Sequence, residues 1–406
     1  MSRFLFAVPP LTGHTNPTIA VAQALEARGH EVAWVGHPGK IRPLLPAGAR
    51  LFALDDRVAP ELVTQMTDRS QAMRGAAALK FLWEDFLVPL ARQMRPGIDA
   101  AVAEYAPDVM CVDQQAVAGG LVARKRGIPW ASLATTSAGV TDPLAGLPQV
   151  KRWFEELIAQ LEREAEVPPA APVASAVPMS PELSPHLVIA FTTPALVGDA
   201  ARFPAHYRFV GPSLGRPEAA EFPWDQLGPR PRVLVSMGTV NAEASGRFYG
   251  VALAALGASA PAALGASAPG DPPIQVILAA PPHLLPAELP PNVLARAYVP
   301  QLALLSHVDA VVCHGGHNTT CEALAHGLPL VIAPIKDDQP IVADQVVAAG
   351  AGLRVKFGRV QAPELRDAVH RVLHDSSFRE AAGRIRDSFA AAGGAVTAAA
   401  ELEKLA

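Results

Sequence analysis

At 406 residues, half of them apolar and 18% charged, the chain has a globular composition and is too long for one ordinary core, so two domains are expected. A formal net charge of −4 gives no electrostatic footing for nucleic acid or an anionic membrane, and no uninterrupted apolar run approaches bilayer-spanning length. Three cysteines, Cys111, Cys313 and Cys321, fall far apart or inside predicted core elements, which speaks against a disulfide framework and fits reduced thiols in a cytoplasm, with a peripheral membrane contact left open.

Arg3 to Val8 reads as a first strand, too short for the apolar part of a secretory leader and followed at once by Pro9-Pro10. Pro9 to Pro17 reads as a turn carrying His14, Thr18 to Arg28 as an amphipathic helix closed by Gly29, and Glu31 to Val35 as a second strand. That β-α-β opening predicts a parallel sheet. No G-x-G-x-x-G follows the first strand, which argues against a dehydrogenase. Residues 74–106 look helical, with Leu79, Leu82, Phe86 and Leu90 at helical spacing and Phe81 and Trp83 adding bulk. Core packing is the simpler account of them; a wall of an apolar substrate cleft is the sharper one. Asp108 to Asp113 is a strand ending in a carboxylate, followed by a helix from about Ala116 to Arg126 and a strand from Pro129 to Leu133. Residues 141–185 give little regular signal, and Val167 to Pro185, crowded with proline, alanine and serine, reads as a mobile loop. Leu187 to Ala190 and Phe209-Val210 close the first half, and the proline- and glycine-rich Gly211 to Pro231 carries the linker.

The second half starts afresh with Arg232 to Thr239, a strand running into a glycine turn that holds Ser236, Gly238 and Thr239. Ala255 to Ala262 is repeated almost unchanged at residues 263–270, which reads as loop expansion, not a solenoid. Ile274 to Leu278 and Val293 to Tyr298 continue the strands. Ala310 to Cys313 is a short apolar run that reads as a buried parallel strand. His314-Gly315-Gly316-His317-Asn318-Thr319-Thr320 turns it into a helix that stops at Gly327, with Pro329 just beyond. A helix N-terminus offers N–H groups and partial positive charge, and glycine lets a ligand approach the backbone, so this turn suits a phosphate or diphosphate. Ala362 to Leu373 and Phe378 to Ala391 read as terminal helices.

Tyr298-Val299-Pro300-Gln301, the stretch from His314 through Cys321-Glu322-Ala323-Leu324, then Gly327-Leu328-Pro329 and Pro334-Ile335-Lys336-Asp337-Asp338-Gln339-Pro340 together resemble the donor signature of family 1 glycosyltransferases. This group includes bacterial enzymes acting on antibiotics and carotenoids and plant enzymes acting on small molecules. Order and spacing are kept; the chain departs at Tyr298, where many members carry tryptophan, and at His317. The resemblance implies an α/β fold of the GT-B kind, two Rossmann-like domains facing across a cleft. The expected bounds are a first, acceptor-binding domain 1–215, a linker 216–231, a donor domain 232–390, and a C-terminal helix in 391–406 crossing back to the first domain.

An acceptor hydroxyl is a poor nucleophile until a base takes its proton, and imidazole titrates in the right range. His14, at the carboxyl edge of the first strand, suits that role, and Asp113, ending a neighbouring strand, would hold its tautomer; the resemblance implies both. On the donor side, His314 would hydrogen-bond the diphosphate beside backbone N–H groups at Gly316 and Asn318, with the Thr319 hydroxyl adding a donor. By the same resemblance Glu322 would accept from the ribose hydroxyls, favouring a uridine over a thymidine nucleotide. Asp338 and Gln339 would bind the sugar, the glutamine leaning toward glucose, while Tyr298 and Val299 meet the base and Gln301 lies within the same motif. Ser236, Gly238 and Thr239 would reach the phosphates. No D-x-D triplet occurs, so no metal is expected; the co-substrate would be a UDP-sugar or a dTDP-sugar, with no separate cofactor. The acceptor pocket falls on residues 55–90 and 135–150, whose aromatics suggest an apolar macrolide, polyketide, carotenoid or flavonoid. A monomer and a homodimer both remain open. The competing classes are a nucleotide-sugar epimerase or hydrolase, which would turn over UDP-sugar without acceptor, and a catalytically silent binding partner, against which His14 and Asp113 together speak.

Overall fold

In a computed structural model, the structure describes residues 1–55, 76–141, 144, 146–168, 180–215, 221–228, 231–238, 242–257 and 274–406. They form two compact units. The first comprises Met1–Pro194, Asp199–Gly215 and Ala391–Ala406; the second comprises Ala195–Gly198 and Arg216–Ala390.

In the first unit, β1 (Arg3–Ala7), β2 (Glu31–Gly36), β3 (Arg50–Ala53), β4 (Val109–Asp113), β5 (Trp130–Ala134), β6 (Val188–Ala190) and β7 (Tyr207–Phe209) make one sheet in the order β3-β2-β1-β4-β5-β6-β7. All of its pairings are parallel. The near-continuous apolar runs of β1 and β4 follow from burial on both faces. Leu5, Ala7, Met110 and Val112 meet one core, shared with Met94 and Ile98 of the helix Val88–Tyr105. Phe4, Phe6, Val109 and Cys111 meet another, shared with Val21 and Leu25 of α1 (Thr12–Ala27) and with Ala398, Ala399 and Leu402 near the C-terminus. The last helix, Gly394–Leu402, therefore does return to the first unit, and the Gly394 amide donates to the Val210 carbonyl at 2.7 Å.

The second unit repeats the plan. β8 (Arg232–Ser236), β9 (Gln275–Ala279), β10 (Val293–Arg296), β11 (Ala310–Cys313), β12 (Leu330–Ile332) and β13 (Gly352–Arg354) pair in the order β10-β9-β8-β11-β12-β13, again all parallel. In each sheet the winding reverses beside the first strand, between β1 and β4 and between β8 and β11. In open sheets of this kind ligands bind outside the carboxyl ends of the strands at that reversal.

Several sequence expectations need correction. α1 begins at Thr12, not Thr18, so residues 12–17 of the stretch read as a turn, His14 included, are helical. Proline, glycine and asparagine there are poor helix formers, but other bonds compensate. The His14 and Thr15 amides and the Thr15 hydroxyl donate to the Leu11 carbonyl, each at 3.1 Å, and the Ser213 hydroxyl reaches the Pro17 carbonyl at 2.6 Å. The stretch read as poor in signal contains a 17-residue helix, Pro148–Glu164. Phe154, Ile158 and Leu161 recur on its buried face, and Phe154 meets Trp83 at 4.5 Å between ring centroids. The helix Gly246–Leu256 and strand β3 also went unread. Residues 74–106 are helical from Ala76, with a π-helical turn at Leu82–Leu87. Trp83 and Leu90 are core residues, while Leu79, Leu82 and Phe86 pack against that core half-buried. Most of the supposed loop, residues 169–179, and the repeat beyond Gly257 lie outside the described residues.

Candidate functional site

Two constellations form, one at each reversal of winding. In the first unit, β1 delivers the chain to α1 and β4 ends at Asp113, so His14 in the first turn of α1 comes to face Asp113. Its Nδ1 lies 3.0 Å from both carboxylate oxygens, with the carboxylate fully buried and the imidazole 16% exposed. The Gln115 amide donates to Asp113 Oδ1 at 2.8 Å, so the aspartate closes a tight turn ahead of the helix Val117–Arg126 as well as holding the histidine. Thr135, which the sequence reading passed over, completes the cluster. It follows β5 directly, its hydroxyl lies 2.6 Å from Asp113 Oδ2, and it lies 2.8 Å from His14 Nδ1. The one available signal was its place, a hydroxyl just past the carboxyl end of the strand beside β4.

In the second unit, β11 ends at Cys313, and His314 and Gly315 lead into α2 (His317–Ala325), capped by Gly316. The helix thus opens at His317. Ser236 ends β8, the strand paired with β11, and Gly238 follows it at φ +72°. A Cβ on Gly238 would come within 2.6 Å of His314 Cε1, and one on Gly316 would strike His314 Nε2. The imidazole is thus seated between two glycines, each of which must lack a side chain. Burial pushes the His314 pKa down to about 4; the Asp338 carboxylate and the Ser236 backbone pull it up less strongly. Near neutral pH the His314 imidazole is therefore uncharged, able to hydrogen-bond but adding no positive charge.

Glu322 lies one turn into α2, where burial pushes its carboxyl up to about 7, and Gln301 pulls it back through an Nε2 hydrogen bond of 2.5 Å to Oε2. Gln301 also reaches the Thr319 hydroxyl at 3.4 Å, which ties three of the predicted residues together. Gln339, which opens α3 (Gln339–Ala348), accepts at Oε1 from the Ile335 amide at 2.9 Å and the Lys336 amide at 3.1 Å. Both lone pairs of that oxygen are used, so a ligand could meet only its N–H groups. Asp337, beside Asp338, holds φ +57°, a left-handed conformation aspartate tolerates better than most residues, and burial raises its carboxyl pKa. Val299 is buried and can offer only backbone, whereas Tyr298 is 62% exposed. His317 is buried with its Nε2 3.5 Å from the Cys321 sulfur, a packing partner one turn along the helix. Asn318 sits half-buried in the first turn. Thr239 lies outside the described residues. Among the described residues no group of three or more His, Cys, Asp or Glu side chains gathers as a metal site, and no helix is long and apolar enough to cross a membrane.

Known proteins resemble the chain over its whole length. Residues 264–405 match the family model described as erythromycin biosynthesis protein CIII-like, C-terminal domain. The chain is 30% identical to 4'-demethylrebeccamycin synthase of Lentzea aerocolonigenes over 100% of this chain and 99% of that protein. It is 31% identical to demethyllactenocin mycarosyltransferase of Streptomyces fradiae, over 100% and 87%. Among solved structures, the glycotransferase of kitacinnamycin superposes with a TM-score of 0.79 at 26% identity, covering 100% of this chain and 99% of that one.

Proposed function

The chain belongs to the family 1 glycosyltransferases of the GT-B fold, and from that premise we propose an inverting enzyme that moves a hexose, glucose from UDP-glucose, onto a hydroxyl of a small lipophilic natural product. The observation that carries the mechanism is the 3.0 Å approach of His14 Nδ1 to the buried Asp113 carboxylate. With the Nδ1 proton donated to that carboxylate, the other ring nitrogen, Nε2, keeps its lone pair and can take a proton from the acceptor. The acceptor oxygen then bonds to the anomeric carbon as the carbon–oxygen bond to the diphosphate breaks. The proton rests on His14, the electron pair leaves with the nucleotide, and an α-linked donor gives a β-glycoside. Negative charge grows on the departing diphosphate, where the first turn of α2 and the His314 imidazole would stabilise it.

The Gln301–Glu322 pair supports a ribose site, and the amide of Gln339 supports hydrogen bonding to sugar hydroxyl oxygens. A dTDP-sugar donor is the second reading, with a sugar other than glucose favoured by the relative named a mycarosyltransferase. The test is transfer from UDP-glucose and from dTDP-sugars to a panel of phenols, macrolides and terpenoid alcohols, with the product anomer read by NMR. His14→Ala should lower kcat by at least a hundredfold and Asp113→Asn by a comparable amount, on the order of what one general base supplies. Near-normal transfer by His14→Ala, or an α-glycoside product, would overturn the mechanism.

A further inference from the structure

Thr135 touches both members of the histidine–aspartate pair, and its proton count decides what it can do there. A threonine hydroxyl has one proton and two lone pairs. The 2.6 Å separation from Asp113 Oδ2 is that of a hydroxyl donating to a carboxylate, which commits the proton. What remains toward His14 Nδ1 at 2.8 Å is a lone pair, an acceptor for the same N–H that Asp113 accepts. Thr135 is 3% exposed, so water does not substitute readily for its hydroxyl.

We propose that Thr135 is a positioning residue for the base: its hydroxyl locks the His14 ring with Nδ1 protonated and, by donating to Asp113, limits how strongly the carboxylate favours the imidazolium. The inference rests on the reading of His14 as base. Among the described ion pairs the acidic group facing His14 is Asp113 of β4; Thr135, just past β5, does not titrate near neutrality.

Removing the hydroxyl leaves the carboxylate with one donor fewer, hence more charge directed at the imidazole, so His14 holds its proton to higher pH. Thr135→Val, nearly isosteric, should move the acidic limb of the kcat profile upward by about half to one pH unit, a fraction of what a charge-assisted hydrogen bond is worth. It should also lower the plateau kcat roughly tenfold, leaving both KM values within about twofold. Thr135→Ser, which keeps the hydroxyl, should restore the limb, and it serves as the readout if the valine variant does not fold. A Thr135→Val enzyme with the parent's pH limb, or with a raised KM and unchanged kcat, would show that Thr135 meets substrate or merely fills space. His14→Ala, measured alongside, separates the two failures. If it still transfers sugar, the base assignment falls. If it is inactive while the threonine variants match the parent, only the role of Thr135 falls.

Discussion

Glu322 and His314 are displaced in opposite senses by the same cause, and their effects on stability oppose each other. Between about pH 4.5 and 7 folded Glu322 keeps a proton that the unfolded chain has lost, so its contribution falls as pH rises. His314, pushed down from 6.5 to about 4, is neutral when folded and charged when unfolded between about pH 4 and 6.5, so its contribution rises with pH there. Glu322→Gln removes the first effect and can still accept from Gln301. The gap in thermal midpoint between this variant and the parent should therefore widen from pH 4.5 to 7 and level off above; a gap independent of pH would contradict the assignment. At this scale the sequence was readable where a residue's place announced it. His14 follows β1 and Asp113 ends β4, and those strands are adjacent. Thr135 was not readable, because Thr135-Thr136-Ser137 offers three hydroxyls in a row and only the register of β5 against β4 selects one. His317 was opaque for a similar reason: its partner Cys321 is fixed only once the helix is known to open at His317.

Elements were legible in proportion to how local their determinants are. The apolar runs of β1, β4, β8 and β11 needed no partner to be recognised, since strands buried on both faces must be apolar throughout. α1 was misplaced by six residues because its first two turns are held by Leu11 and Ser213 against their own propensities. The helix Pro148–Glu164 was lost among its proline-rich neighbours, although its apolar residues recur every three or four positions. Gly394–Leu402 permits a direct test. Deleting residues 394–406 strips Ala398, Ala399 and Leu402 from the core that also holds Phe4 and Trp34, and takes Glu403 away from Arg28 and His30. The apolar loss is roughly 3–4 kcal/mol. The midpoint of the first unit should fall by about 10 °C in calorimetry, by the usual scaling for domains of this size. A fall of under two degrees would mean the helix is peripheral to that core.

Across the whole molecule, the donor half is expected to manage phosphate charge with a helix terminus and neutral hydrogen-bond donors, so transfer should proceed in EDTA at the rate measured without it. Loss of turnover that magnesium restores would refute this. The parallel arrangement of both sheets was foreseeable from alternating strands and helices; the return of the last helix to the first unit was expected only through the family resemblance, because no local pattern says where a helix docks. That return has a practical outcome. With residues 391–406 counted in the first unit, nearly all of the second unit, from Arg216 to Ala390, is an insertion whose two ends both lead back to the same body. Recombining it with a relative therefore calls for two seams, one near each end, and a hybrid cut once near Arg216 would graft a foreign tail onto the native surface formed by α1 and Val210.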